Sequence, residues 1–299
     1  MAWVGRAGAL AHGCMVIVVG AIALWRGHAV AAPVSAPVMA PHRAVYDLSL
    51  SAVGDGDVVT AEGQLTFVLS DMCSAWSTQQ QLHLRTTGRS GAEAISDSDY
   101  AVLEEKNGSS LVFRADQTEN GTPAPRIAGE ARMGSRGGSV HYTAPATHDV
   151  ALPAGTLFPV AYTRAVIAAA LAGRGQISPD LFDGTVETGA LGTYVLLLGQ
   201  QAAPVVVSFP ALAALPAVRV HVAYYNSATH DMTPMFQTGM RYFINGVADN
   251  VELDFGQFRV AGTLREFRLL PAHDRCMGGA NPPAGGVVSP QRQRQRQPA

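Results

Sequence analysis

The chain has 299 residues, 47% hydrophobic and 15% charged, with a formal net charge of −2. That is too apolar for a disordered protein, and it lacks a charged, helix-rich composition. Residues 1–32 and 279–299 hold Arg6, Arg26, Arg292, Arg294 and Arg296 and no acid; setting those five aside from the 21 basic residues leaves an acidic middle of sixteen against 23. A body of that sign argues against a nucleic-acid groove.

The first 32 residues have the make-up of a signal peptide. Arg6 is the positive start, Cys14–Leu24 the short apolar run, and Ala29-Val30-Ala31 a small-x-small cleavage site. The run is short for a membrane span, with Arg26 behind it. The other reading is an N-terminal anchor that is never cut. Export implies the periplasm and, after cleavage, no stable membrane span. Residues 33–41 (PVSAPVMAP) form a Pro/Ala-rich spacer.

From residue 42 the dominant period is two. Tyr46, Leu48 and Leu50 alternate with Asp47 and Ser49, and Leu65, Phe67 and Leu69 repeat the pattern. So do Tyr194, Leu196 and Leu198, and then Val218, Val220, Val222 and Tyr224. Alternation of this kind places one face on a core and the other in water, as in antiparallel strands. Asp55-Gly56, Asn107-Gly108 and Asn245-Gly246 are hairpin signals. Val251, Leu253 and Phe255 share one phase, Phe258 and Val260 the other; Gly256 at the switch reads as a bulge or bend in a continuing strand.

Leu157–Leu171 breaks the pattern. Val160, Ile167 and Leu171 have helical spacing, Ala168–Ala170 favour helix, Thr156 is a candidate cap, Pro159 suits the first turn and Gly173 the stop. Its apolar face is expected to pack on the inner side of the sheet. Residues 278–299 (Gly/Pro, then QRQRQRQ) cannot bury enough apolar surface to order themselves and read as a disordered tail.

With the signal removed, Cys73 and Cys276 are the cysteines left. In an oxidising compartment they read as one disulfide; two separate buried thiols are the alternative. Metal binding lacks the paired C-x-x-C spacing of a zinc shell. Asp55-Gly56-Asp57 lacks the later ligands of a calcium loop and reads as a turn. His221 with His230-Asp231 has the make-up of a base and its orienter, and equally of strand and turn residues. No phosphate loop, metalloprotease helix or nucleophile elbow is present in the sequence. Trp76, close to Cys73, is either core against the disulfide or the floor of a groove.

Several segments together resemble the EipB-like cell-envelope integrity proteins of Gram-negative bacteria. These are His42–Leu48, the Cys73/Trp76 neighbourhood, Leu152–Pro159 (LPAGTLFP), Leu181–Gly184 (LFDG), and Ile244–Arg265 with Cys276 beyond it. The resemblance implies one domain over 42–277, all-β with one or two helices, in which a curved antiparallel sheet forms an open spiral half-barrel around a helix. It also implies that Cys73 and Cys276 are joined. The expectation is therefore a monomeric, non-enzymatic periplasmic protein that binds or scaffolds an envelope component (protein, lipid or glycan), with no cofactor and no metal. A lipid or lipoprotein carrier and a hydrolase of envelope glycans or peptides are the alternatives.

Overall fold

The computed structural model describes residues 37–272 except 204, 206, 230 and 231. The signal-like start, residues 33–36 of the spacer, His230-Asp231, Cys276 and the tail lie outside the described residues.

The described chain begins with nine strands: β1 (His42–Val53), β2 (Val58–Met72), β3 (Ala75–Gly88), β4 (Glu93–Glu105), β5 (Ser110–Glu119), β6 (Thr122–Pro123), β7 (Ile127–Gly134), β8 (Gly137–Ala144) and β9 (His148–Leu152). Helix α1 (Pro159–Leu171) follows, then β10 (Gln176–Ile177), β11 (Leu191–Gln201), the short α2 (Pro210–Ala213), β12 (Ala217–Asn226), β13 (Phe236–Phe243), β14 (Ala248–Asp254) and β15 (Phe258–Leu269). All the strands join one sheet of order β10-β11-β12-β13-β14-β15-β1-β2-β3-β4-β5-β7-β8-β9, with β6 beside β5. Every strand pair is antiparallel. The first and last strands meet in the middle, where β1 lies between β15 and β2.

The sheet is open and curled around α1. Register shifts interrupt the β1–β15 pair at Val45/Tyr46 and Leu50/Ala52, the β11–β12 pair at Leu197/Gln200 and the β13–β14 pair at Gly239/Arg241; each extra residue bends the strand that carries it and sharpens the local twist. The curl brings distant strands onto one helix. Ile167 and Val166 of α1 pack with Val195, Val220 and Val222 of β11 and β12. Val160, at the other end of α1, packs with Leu69 of β2, Trp76 of β3 and Met39. Phe158, just before α1, joins Phe113, Val140 and Tyr142 of β5 and β8. A helix touched from both halves of one sheet is its core.

Strand β9 and strand β10 end the sheet and do not pair with each other. Leu181 stitches the gap through single bridges to Leu157 and Leu191. The LFDG segment is thereby explained: Phe182 is fully buried, the Asp183 backbone carbonyl accepts the Tyr100 hydroxyl at 2.8 Å, and its side chain accepts the Thr185 N–H at 2.9 Å. Gly184 has φ +79°, and a Cβ there would stand 2.4 Å from the Phe113 ring.

Gly256 departs from the expectation of a bend in a continuing strand. The chain reverses there: Asp254 pairs with Arg259, and the Asp254 carboxylate accepts the Gly256 N–H at 2.8 Å. A tight turn sets Phe255 and Phe258 opposite each other on one face, so the phase switch marks a hairpin. Gly256 adopts φ +80°, a region that a Cβ disfavours by about 1–2 kcal/mol. Gly256→Ala is expected to cost about 1 kcal/mol in urea unfolding.

Candidate binding face and the joint that holds it

The inner face of the sheet supplies the candidate site. At the rim formed by the ends of β12 and β14 and the starts of β13 and β15, four half-buried rings follow one another. Tyr224 and Phe236 lie 6.2 Å apart between centroids, Phe236 and Phe255 5.3 Å, and Phe255 and Phe258 5.0 Å in a stacked pair. Strand alternation points them all inward, beside Leu50, Leu82 and Leu253, which are also only partly buried. Tyr224 adds a hydroxyl 3.4 Å from that of Thr238. Large flat rings with a polar edge give contact area at low conformational cost. Two hollows on the outer face differ in kind. One of about 360 Å³ is lined by Arg43, Glu266, Phe267 and Arg268, and one of about 250 Å³ by residues including Gln64, Gln81, His83, Asp97 and Asp99.

The opposite rim holds the curl in place. Trp76 is 8% exposed and packs with Met39, Leu69 and Val160, which makes it core and not the floor of a groove. The Lys106 ammonium sits 4.4 Å above its ring and bonds Asp71 at 2.5 Å. Beside Trp76 in the ladder is Glu104 of β4, only 2% exposed. Its two oxygens accept the N–H groups of Val160 and Ala161 at 2.7 and 2.9 Å. Pro159 opens α1 and has no N–H, while Tyr162 N–H already reaches Phe158 O. Glu104 therefore satisfies the donors that the first turn leaves over. Thr156, the cap expected from sequence, turns away and donates to Pro153 O at 2.9 Å; Phe158 stands at the cap position with no side-chain bond. Burial pushes Glu104 up to about 7, against the two N–H bonds and the Arg164 charge, which pull it down.

An ion pair and a histidine also sit in the core. Arg241 and Asp249 make a bidentate pair at 2.7 and 2.6 Å across β13 and β14. His42, buried between Phe67 and Phe267, bonds Ala40 O at 2.7 Å, and burial lowers its pKa.

Cys73 lies in the β2–β3 turn at φ +68°, its N–H bonded to Asp71 at 2.9 Å. Cys276 lies outside the described residues. His221 bonds Gln237 at 3.1 Å, and its suggested partners His230 and Asp231 lie outside the described residues. Asp57 forms the end of a turn and reaches Arg89 at 4.0 Å. Among the described residues, no group of three or more His, Cys, Asp or Glu side chains is placed to hold a metal ion. No helix among them is long and apolar enough to cross a membrane.

A family model described as EipB-like matches residues 33–271. The chain is 23% identical over 251 residues to the cell envelope integrity protein EipB of Brucella abortus (strain 2308), covering 81% of this chain and 88% of that protein. Its fold is similar to the crystal structure of a β-barrel-like protein of a domain of unknown function from Brucella abortus. The TM-score is 0.72 at 21% identity, over 79% of this chain and 100% of that one.

Proposed function

Because the chain belongs to the EipB-like family, we propose that it is a periplasmic, non-enzymatic protein that supports the cell envelope by holding an envelope component in its concave face. The observation that carries this reading is the run Tyr224–Phe236–Phe255–Phe258, half-buried at the rim of an open sheet. Rings that stay partly in water next to a packed core are the usual anchors of recognition. The joint at Trp76 and Glu104 supports the reading from the other rim, since it locks the helix that fills the curl. The relative's name, a cell envelope integrity protein, supports an envelope role. The disulfide between Cys73 and Cys276 belongs to the same proposal, as the tie across the locked rim.

The test is complementation of a deletion strain under detergent stress. Phe255→Gln, purified and shown to melt within a few degrees of the parent, is expected to fail to restore resistance. Val112→Gln, an exposed apolar residue of the outer face, is expected to restore it fully. Full complementation by Phe255→Gln and Phe236→Gln alike would remove the concave face from the function. The same rings suit an acyl chain, which gives the second reading, a lipid carrier. A lipid adduct on protein taken gently from the envelope, and lost in Phe255→Gln, favours that reading.

A further inference from the structure

The β1–β15 seam carries two arginines in an arrangement that strand pairing alone does not favour. Arg43 and Arg268 stand directly opposite each other across the ladder, where like charges destabilise a strand pair. Both point to the outer face, as does Glu266, around the hollow of about 360 Å³, which Phe267 lines from between them while its ring packs on His42 behind. Glu266 holds one nitrogen of Arg43 at 3.0 Å, which leaves two cations against one acid. Neighbouring arginines of the same strand are matched: Arg265 by Asp47 at 3.1 Å, and Arg259 by Glu252 and Asp254, each at 3.5 Å. Among the described residues no acid pairs with Arg268.

We propose that Arg43 and Arg268 form an anion site that takes a phosphate group. A guanidinium presents a planar fork that matches phosphate oxygens two at a time. Two forks on adjacent paired strands grip such a group from two sides and relieve each other's repulsion. The backbone beneath them is fixed by the ladder on one side of β1 and by Leu270 N–H to Pro41 O at 2.8 Å, so little order is lost on binding. A second hollow of this face has Asp97 and Asp99 in its lining and repels an anion. The site is on the convex side, separate from the aromatic rim, and stands or falls independently of the concave-face reading.

The same chemistry has two sources, a phospholipid head group and a soluble phosphate compound. Inorganic phosphate is titrated into the full exported protein while arginine Nε–H signals are followed by NMR. In parallel, flotation is measured with phosphatidylcholine vesicles with and without phosphatidylglycerol. Arg43→Gln and Arg268→Gln are each expected to weaken phosphate binding about fivefold, from roughly 1 kcal/mol per charge. Arg259→Gln, paired elsewhere on the strand, is expected to leave it unchanged. Vesicle binding that needs phosphatidylglycerol and falls in the same two variants assigns the site to a lipid surface; phosphate binding without vesicle binding assigns it to a soluble compound. Phosphate that moves neither arginine signal, or an Arg259→Gln loss equal to the others, overturns the proposal.

Discussion

Glu104→Ala is expected to lower the unfolding free energy by about 3 kcal/mol, since it leaves two buried N–H donors at roughly 1–3 kcal/mol each. The loss is to be read as a shift of the urea midpoint at constant slope. Glu104→Gln keeps one carbonyl oxygen and turns an amide donor toward the other N–H, so it is expected to recover part of the loss. A cap supplied by a strand 56 residues before the helix also couples two parts of the fold. In Glu104→Ala, hydrogen exchange should accelerate at Val160 and Ala161 well before it does in β12. An unchanged midpoint for Glu104→Ala would mean that the cap contributes nothing.

The pH dependence of that carboxyl has a definite sign. Burial raises it to about 7 in the folded protein from the ordinary 4.5, so the native state binds the proton more tightly than the unfolded chain. Its contribution is full below about pH 4.5 and is lost as pH rises through about 7. At 1.36 kcal/mol per tenfold change in proton affinity, the decline amounts to about 3 kcal/mol. Glu104→Gln removes the titrating proton and should flatten that part of the stability profile. Replacing Arg164, the charge that opposes the shift, by glutamine should enlarge the total decline and carry it to higher pH.

Period-two alternation made the sheet legible, because a half-buried strand writes its two faces into successive residues. Tyr46, Leu48 and Leu50 do so without ambiguity. The helix was readable from Pro159, Ala168–Ala170 and Gly173, and Gly173 does end it at φ +73°. Its cap was not, since the acceptor comes from β4 and a local search finds only Thr156. A signal was nevertheless present. Tyr100, Val102 and Glu104 share the inner phase of β4, and an acid in an inner phase needs a partner. The Gly256 hairpin was missed because a phase switch is equally the mark of a bulge; Asp254 two residues before the glycine is the cue that separates them. The aromatic rim was beyond reach, as Tyr224, Phe236, Phe255 and Phe258 meet only through the pairing of four strands. The opposed Arg43 and Arg268, 225 positions apart, depend on β1–β15 register.

Cys73→Ser is expected to lower the melting temperature by roughly 10 °C. A tie that closes about 200 residues removes close to 5 kcal/mol of chain entropy in the simplest model. With about 2.1 cal/mol/K per residue over the described body, the entropy of unfolding is roughly 0.5 kcal/mol/K, which sets the scale of the shift. The sheet supports the pairing. His42 is opposite Leu69 on one side and Leu269 on the other, so β2 and β15 run parallel and leave the sheet at the same rim, about 10 Å apart. Cys73 follows Leu69 by four residues. Leu270 is still held to Pro41, and the six residues from there to Cys276 reach at most about 20 Å, enough to meet the β2–β3 turn. Reductant should lower the parent by the same amount and leave Cys73→Ser unaffected. The Cys73→Ser/Cys276→Ser pair should melt with either single variant, because one bond is lost in each case. Equal melting of the parent with and without reductant, or free labelling of both thiols in exported protein, would leave the locked rim resting on Trp76 and Glu104 alone.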